Sequence, residues 1–167
     1  MEVQEYYRAA TGEKNAEFYL SRFEHFDSHG VAVSWHWPAF FFSFYWLLHR
    51  KMPLFALLYI LFPLAFAAID MVIFPADDVV MAMTSLLYLA ATFIALPLYA
   101  NALYYHQVKK RIHKALSASR DNEEAMSAII AGGGIMSTSR TIVTSFAFVA
   151  VLMVAAAVLE QLLNPGY

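Results

Sequence analysis

The fold of this chain is decided by the stretch SWHWPAFFFSFYWLLHRKM, residues 34–52, in which three tryptophans and several phenylalanines precede a basic pair. Proline fits the first turn of a helix, so Pro38 predicts a helix over residues 38–51. Such a helix is about 20 Å long, which is too short to cross a hydrocarbon core of about 30 Å. The stretch therefore predicts an aromatic helix that is interfacial or half-inserted in a membrane.

The side chains of this stretch indicate what it contacts. Tryptophan and tyrosine rings prefer the headgroup boundary, where Arg50 and Lys51 can lie against lipid phosphate. Three consecutive phenylalanines point to different sides of a helix, so the helix needs an apolar environment on more than one side. We expect one side to face lipid and the other to pack on the first spanning helix, with Pro53 at the bend. The candidate interface or lipid-binding residues here are Trp35, Trp37, Phe40, Phe41, Phe42, Trp46, Arg50 and Lys51.

The composition predicts an all-α integral membrane protein. The 167 residues are 60% hydrophobic with a mean hydropathy of +0.53, whereas soluble domains are roughly 45–50% apolar. Three apolar runs, residues 53–74, 79–104 and 141–163, reach the length of about 20 residues that a spanning helix needs. We therefore expect three transmembrane helices, besides the aromatic helix and a short N-terminal amphipathic helix.

The distribution of charge predicts the topology. The formal net charge of -2 is nearly balanced, so no nucleic-acid partner is expected. The short loop at 75–78 is acidic and lacks lysine and arginine, whereas residues 106–140 carry many basic side chains. By the positive-inside rule, the long loop and the N-terminus are cytoplasmic and the C-terminus is outside. The basic residues expected to meet anionic headgroups at the cytoplasmic surface include Lys109, Lys110 and Arg111.

These patterns divide the chain into five segments. The expected segments are a cytoplasmic N-terminal segment with an amphipathic helix (1–33), the aromatic interfacial helix (34–52), a transmembrane hairpin (53–105), a basic cytoplasmic linker (106–140), and the third transmembrane helix with a short outer tail (141–167). Within the linker, residues 121–130 predict a short helix. The glycines at 132–134 should end that helix and form a flexible joint before the third span.

The N-terminal segment carries one apolar helical stripe. Tyr19, Phe23 and Phe26 follow one another at i, i+4 and i+7, which is the spacing of a single helix face. Asn15 is placed to cap this helix, and residues 27–30 are expected to end it. The stripe predicts a helix that lies on the rest of the protein or on the membrane surface.

The histidines offer one candidate pair of metal ligands. His25 and His29 are four residues apart, but the helix is expected to end before His29, and no HExxH pattern occurs. The chain has no cysteine, so it offers neither a thiolate ligand nor a thiol nucleophile. We therefore predict no catalytic residue, metal or cofactor. A histidine-dependent membrane enzyme stays an alternative.

Two carboxylates fall within the predicted spans. Asp70 and Glu160 lie near the outer ends of their helices. A carboxylate inside a membrane is a functional hypothesis by default, so a proton or ion site is one interpretation. Because both residues are shallow, solvation at the outer interface is the other, and we favour it.

Two blocks of the sequence resemble a known family. Residues 34–52 are similar to the signature of Domain of Unknown Function 2628, which is roughly Ser-Trp-Asn-Trp-Ala-Ala-Phe-Phe-Phe followed by a tryptophan and by Tyr-Arg-Lys-Met. Residues 100–112, ANALYYHQVKKRI, resemble a second run in which Asn101, Tyr104, Tyr105, Lys109 and Lys110 match. The chain departs from the pattern at His36, Pro38 and His49, where Asn, Ala and Tyr are expected.

The resemblance implies a small multi-pass protein of the bacterial inner (cytoplasmic) membrane and assigns no activity. The residues add surfaces suited to contact, namely an aromatic half-helix, a basic loop and small residues in the third span. We therefore predict an accessory, assembly or scaffold subunit that binds a membrane protein partner or a second copy of itself. A small-solute or ion pathway through Asp70 and Glu160 is the alternative. The two matched blocks should pack together, with Asn101 hydrogen-bonded by backbone or hydroxyl groups.

Overall fold

The computed structural model describes residues 3–74 and 78–163, apart from the side chains of Leu159, Glu160, Leu162 and Leu163. This part of the chain is all-helical, as predicted. Its helices are α1 (Val3–Thr11), α2 (Ala16–His29), α3 (Trp37–His49), α4 (Pro53–Ile73), α5 (Asp78–Ala118), α6 (Asn122–Gly132) and α7 (Thr138–Leu163).

Helices α1, α2, α3, α6 and the second half of α5 pack around one core, and we call this unit the head. Aromatic rings from different helices fill its centre. Tyr19 and Phe23 of α2 are fully buried against Tyr104 of α5. The apolar stripe predicted for the N-terminal segment is therefore buried by the rest of the protein.

Three helices are long and apolar enough to cross a membrane, namely α4, α5 and the part of α7 from Thr138 to Val158. Only 11%, 11% and 6% of their most apolar windows are buried inside the protein. Helices α4 and α5 pack on each other as a hairpin. In the described part of the chain, α7 contacts α3 and no other helix. The apolar faces of α7 and the hairpin are thus left largely uncovered by protein.

The N-terminal segment contains two helices, so the expectation of a single one is wrong. The chain turns between α1 and α2 through two left-handed residues, Gly12 at φ 76° and Asn15 at φ 65°. Asn15 precedes α2, but its side chain makes no capping hydrogen bond. Helix α2 also runs through residues 27 and 28 to His29 and stops at Gly30, whose φ of 86° favours glycine.

The helix predicted after residue 120 is confirmed as α6, which ends at Gly132. The glycines that follow do not form a free joint. A Cβ atom on Gly133 would lie 2.8 Å from the carbonyl oxygens of both Ala9 and Ala10 in α1. The amide of Gly134 donates to the same Ala10 carbonyl at 2.9 Å. Glycine is needed here because the backbone passes so close to α1.

Candidate functional site: the basic junction around Arg50

The segment before α3 is attached to α5 by backbone hydrogen bonds. The amide of Ser34 donates to the Leu98 carbonyl at 3.2 Å, and the amide of His36 donates to the Pro97 carbonyl at 3.0 Å. The Asn101 side-chain amide also donates to the Ser34 hydroxyl at 2.8 Å. The prediction that the two matched blocks pack together is therefore confirmed. The prediction that Asn101 is hydrogen-bonded holds for its nitrogen, which donates to a hydroxyl, whereas its buried Oδ1 has no hydrogen-bond partner among the described residues.

His36 begins α3 as its N-cap. Its Nδ1 accepts the Ala39 amide at 3.1 Å, which places the ring proton on Nε2, 3.0 Å from the Tyr19 hydroxyl oxygen. Burial, followed by the positive charges of Arg50 and Arg22, lowers the pKa of His36 to about 4. The imidazole is therefore neutral at physiological pH and acts as a hydrogen-bonded cap.

The turn from α3 to α4 has a Schellman geometry. The amide of Met52 donates to the Leu47 carbonyl, and the amide of Lys51 donates to the Leu48 carbonyl, both at 2.9 Å. Lys51 takes the left-handed position at φ 56°, where glycine is usual. Pro53 then starts α4, so the predicted bend is present. Lys51 also donates through Nζ to the Gly133 carbonyl, which ties the turn to the segment before α7.

Arg50 points into the head and not toward solvent. The whole residue is only 4% exposed to solvent. The guanidinium carbon lies 4.4 Å from the ring centre of Tyr19 and 5.0 Å from that of Tyr104. Its Nη1 donates to the Tyr104 hydroxyl at 3.5 Å. Arg111 closes the site by donating to the carbonyls of Arg50 and Lys51. We call Arg50, Lys51, Tyr104 and Arg111, together with His36, the basic junction.

A second polar cluster joins three helices of the head at Asp27. Its carboxylate accepts hydrogen bonds from Tyr7 at 2.6 Å, from Tyr105, and from Lys109 at 3.1 Å. Burial opposes ionisation of Asp27, but the bonds from Tyr105, Tyr7 and Lys109 outweigh it and lower the pKa of the carboxyl. Asp27 could not be predicted as part of a polar cluster, because its place in the sequence indicated only the end of the second helix.

The other predicted interface residues are distributed over buried and open positions. Trp46 is buried beside His36 and Tyr104. Trp35 and Phe40 are half-buried. The residues of this group that are exposed are Trp37, Phe41, Phe42, Lys109 and Lys110. Helix α3 thus has one protein-facing side and one open aromatic side, in keeping with the expected division.

Asp70 is not solvated at the outer end of α4, contrary to the favoured interpretation. It is 3% exposed, and its carboxylate accepts the Thr84 hydroxyl of α5 at 2.6 Å. The hydrogen bond from Thr84 offsets part of the cost of burying this carboxylate between the two helices of the hairpin. Glu160 lies outside the described side chains, so its suggested role with Asp70 in a proton or ion site stays a prediction.

His25 and His29 do lie on the same helix, because α2 extends further than expected. Their exposed rings stack at 4.7 Å between centres, and the Ser28 hydroxyl lies 2.7 Å from His29 Nδ1. Among the described residues, no group of three or more histidine or carboxylate side chains is placed to hold a metal ion.

The described part of the chain is a packed helical head continuous with three helices long and apolar enough for a bilayer, which is compatible with a membrane location. The chain belongs to the family described as "Protein of unknown function (DUF2628)", which matches residues 5–110. This confirms the resemblance seen in the two sequence blocks. The match covers α1 to the basic part of α5, whereas α6 and α7 lie beyond it. No curated protein and no solved structure matches the chain.

Proposed function

We propose that this chain is a multi-pass membrane protein that serves as an accessory, assembly or scaffold subunit, binding a membrane protein partner or a second copy of itself. One observation carries the proposal: α7 contacts α3 and, among the described helices, not the α4–α5 hairpin. A bundle of three spanning helices would ordinarily pack them against each other. Here α7 stands apart and is available to another helix.

The contacts of α7 show which of its faces is free. Thr141 is 3.2 Å from His49 Nδ1 through its hydroxyl, and the Phe148 ring lies 5.2 Å from that of Phe44. Both contacts fall on one stripe of α7 that faces α3. The aromatic helix is short, so it leaves the second half of α7 uncovered. The small residues Ala155, Ala156 and Ala157 in that half are exposed and would allow another helix to approach closely.

Crosslinking from α7 tests this proposal. A photoreactive amino acid in place of Met153, which is exposed, should give a discrete adduct of higher mass in native membranes. The same residue in place of Phe148 faces α3 and should crosslink within the chain, without a change in mass. Equal adducts from both positions, or none from Met153 in membranes that contain the folded protein, would contradict the proposal. Mass spectrometry of the adduct distinguishes a foreign partner from a second copy.

The proposed location is the bacterial inner membrane, with the head and N-terminus cytoplasmic and the C-terminus outside. Because the chain has no cysteine, single-cysteine variants report the topology directly. A membrane-impermeant maleimide should label Asp78→Cys in intact cells, and should label Glu13→Cys and Ser117→Cys only after permeabilisation. All three positions are exposed. Labelling of positions 13 and 117 from opposite sides would mean that α3 spans the membrane.

A second candidate function is a proton or cation pathway through the hairpin. The observation in its favour is that Asp70 is buried between apolar helices and hydrogen-bonded to Thr84. If such a pathway exists, reconstituted wild-type protein should pass protons or alkali cations into vesicles that hold a reporter dye. Asp70→Asn keeps a hydrogen-bond acceptor for Thr84 but removes the charge, so it should abolish the flux. Equal flux in the two proteins would remove this candidate.

A further inference from the structure

The basic junction contains a buried cation without a described anionic partner. The ion pairs in the described part of the chain join Arg8 to Glu17 and Lys109 to Asp27, both away from Arg50. The Nε of Arg50 has no hydrogen-bond partner among the described residues. Its remaining contacts are the tyrosine rings and the hydroxyl of Tyr104, all of them neutral. Cation–π contacts of this kind compensate only part of the cost of burying a charge.

The charged groups described near Arg50 are also positive, so they add to the positive potential around it and do not neutralise it. Burial lowers the pKa of His49, and the positive charges of Arg50 and Lys14 lower it further. The pKa of His36 responds in the same way to burial and then to Arg50 and Arg22. Both imidazoles therefore sense a local excess of positive charge.

A small cavity opens beside Arg50. Its volume is about 170 Å³, room for a tetrahedral oxyanion, since a water molecule occupies about 30 Å³ in the liquid. The polar and aromatic side chains that line it include Lys14, Tyr19, Tyr45, Trp46, His49 and Arg50. Helix α3 is kinked along the wall of this cavity, where Phe42 has non-helical angles of φ -127° and ψ 27°. No described carboxylate lines the cavity.

We propose that this cavity is a binding site for a phosphate group. The Arg50 guanidinium and the Lys14 ammonium hold the phosphate, and Tyr19 and Tyr45 line the cavity around it. A guanidinium donates from a planar fork that matches phosphate oxygens, and a lysine adds a mobile point charge. The group can come from a lipid headgroup, because the open aromatic side of α3 adjoins the cavity at Phe42. It can equally come from free phosphate. The site does not depend on the proposed binding of a partner through α7.

Thermal unfolding of the full chain in detergent tests the site. At constant ionic strength, one arm adds inorganic phosphate in exchange for chloride, and the other adds phosphatidylglycerol in exchange for phosphatidylcholine. Saturable stabilisation in the first arm assigns the site to free phosphate. Stabilisation in the second arm alone assigns it to a lipid headgroup. No stabilisation in either arm overturns the proposal.

Variants separate a bound phosphate from general charge effects. Lys14 is exposed, so Lys14→Gln should fold normally and weaken the apparent affinity for the stabilising probe roughly five-fold. Arg50→Lys keeps the charge but loses the fork and should weaken it about tenfold or more. The matched control is Arg120→Gln, which removes one exposed positive charge outside the cavity and should bind like the wild type. Equal affinities for Lys14→Gln and Arg120→Gln would overturn the proposal even if Arg50→Lys fails to fold.

Discussion

Replacing Phe23 by alanine is expected to destabilise the head by about 3–5 kcal/mol, the usual cost of removing a buried phenylalanine. The Phe23 ring is fully buried and lies within 6.0 Å, centre to centre, of the rings of Tyr7, Tyr19, Tyr104 and Tyr105. These partners come from α1, α2 and α5. Deletion of the ring leaves a cavity where three helices meet, and the surrounding rings cannot close it without moving those helices.

Tryptophan fluorescence measures this effect, because all three tryptophans lie in or directly before α3. A loss of this size corresponds to a fall of about 10 °C in the unfolding midpoint for a chain of this length. The control is Phe146→Ala, which deletes the same ring at a position that is 73% exposed. It should unfold near the wild-type temperature in detergent. Similar midpoints for the two variants would contradict the core described for the head.

Acidification from pH 6.5 to pH 4 is expected to destabilise the head by on the order of 2 kcal/mol, and His36→Asn should remove most of this loss. The pKa of His36 is lowered to about 4, first by burial and then by Arg50 and Arg22. Between this value and the ordinary pKa near 6.5, the unfolded chain binds a proton that the folded chain does not. The contribution of His36 to the free energy of unfolding is therefore fully present above pH 6.5 and is lost as the pH falls toward 4.

Asparagine is the informative substitution because its side-chain oxygen can accept the Ala39 amide as His36 Nδ1 does. Asparagine is also the residue expected at this position from the family pattern described above. The pKa of His49 is also lowered, mainly by burial, so His49 adds a smaller loss of stability on acidification. Asp27, with its lowered pKa, loses its contribution only below about pH 4.

The measurement is the unfolding midpoint as a function of pH, with His25→Asn, at an exposed position, as the control. The midpoints of the wild type and the control should fall equally between pH 6.5 and pH 4, whereas that of His36→Asn should fall much less, through the remaining contribution of His49. A slope in His36→Asn as steep as that of the wild type would show that His36 is not the titrating group.

Local sequence signals predicted most of the helices. Pro38 and Pro53 mark the beginnings of α3 and α4, and the apolar runs account for the three long helices. The matched blocks also predicted the packing of Asn101 against the segment before α3. These signals work because capping, proline geometry and helical periodicity depend on residues within about one turn of each other.

The sequence by itself determined an all-helical chain with three apolar helices, a short aromatic helix and an asymmetric charge distribution. Only the tertiary structure decided which polar side chains are buried. Arg50 and Asp70 were expected at the headgroups and the outer interface, but each lies inside the protein, and Asp27 joins three helices. Whether a polar group can be buried depends on the groups that surround it. Those come from segments distant in the chain, which no local pattern specifies.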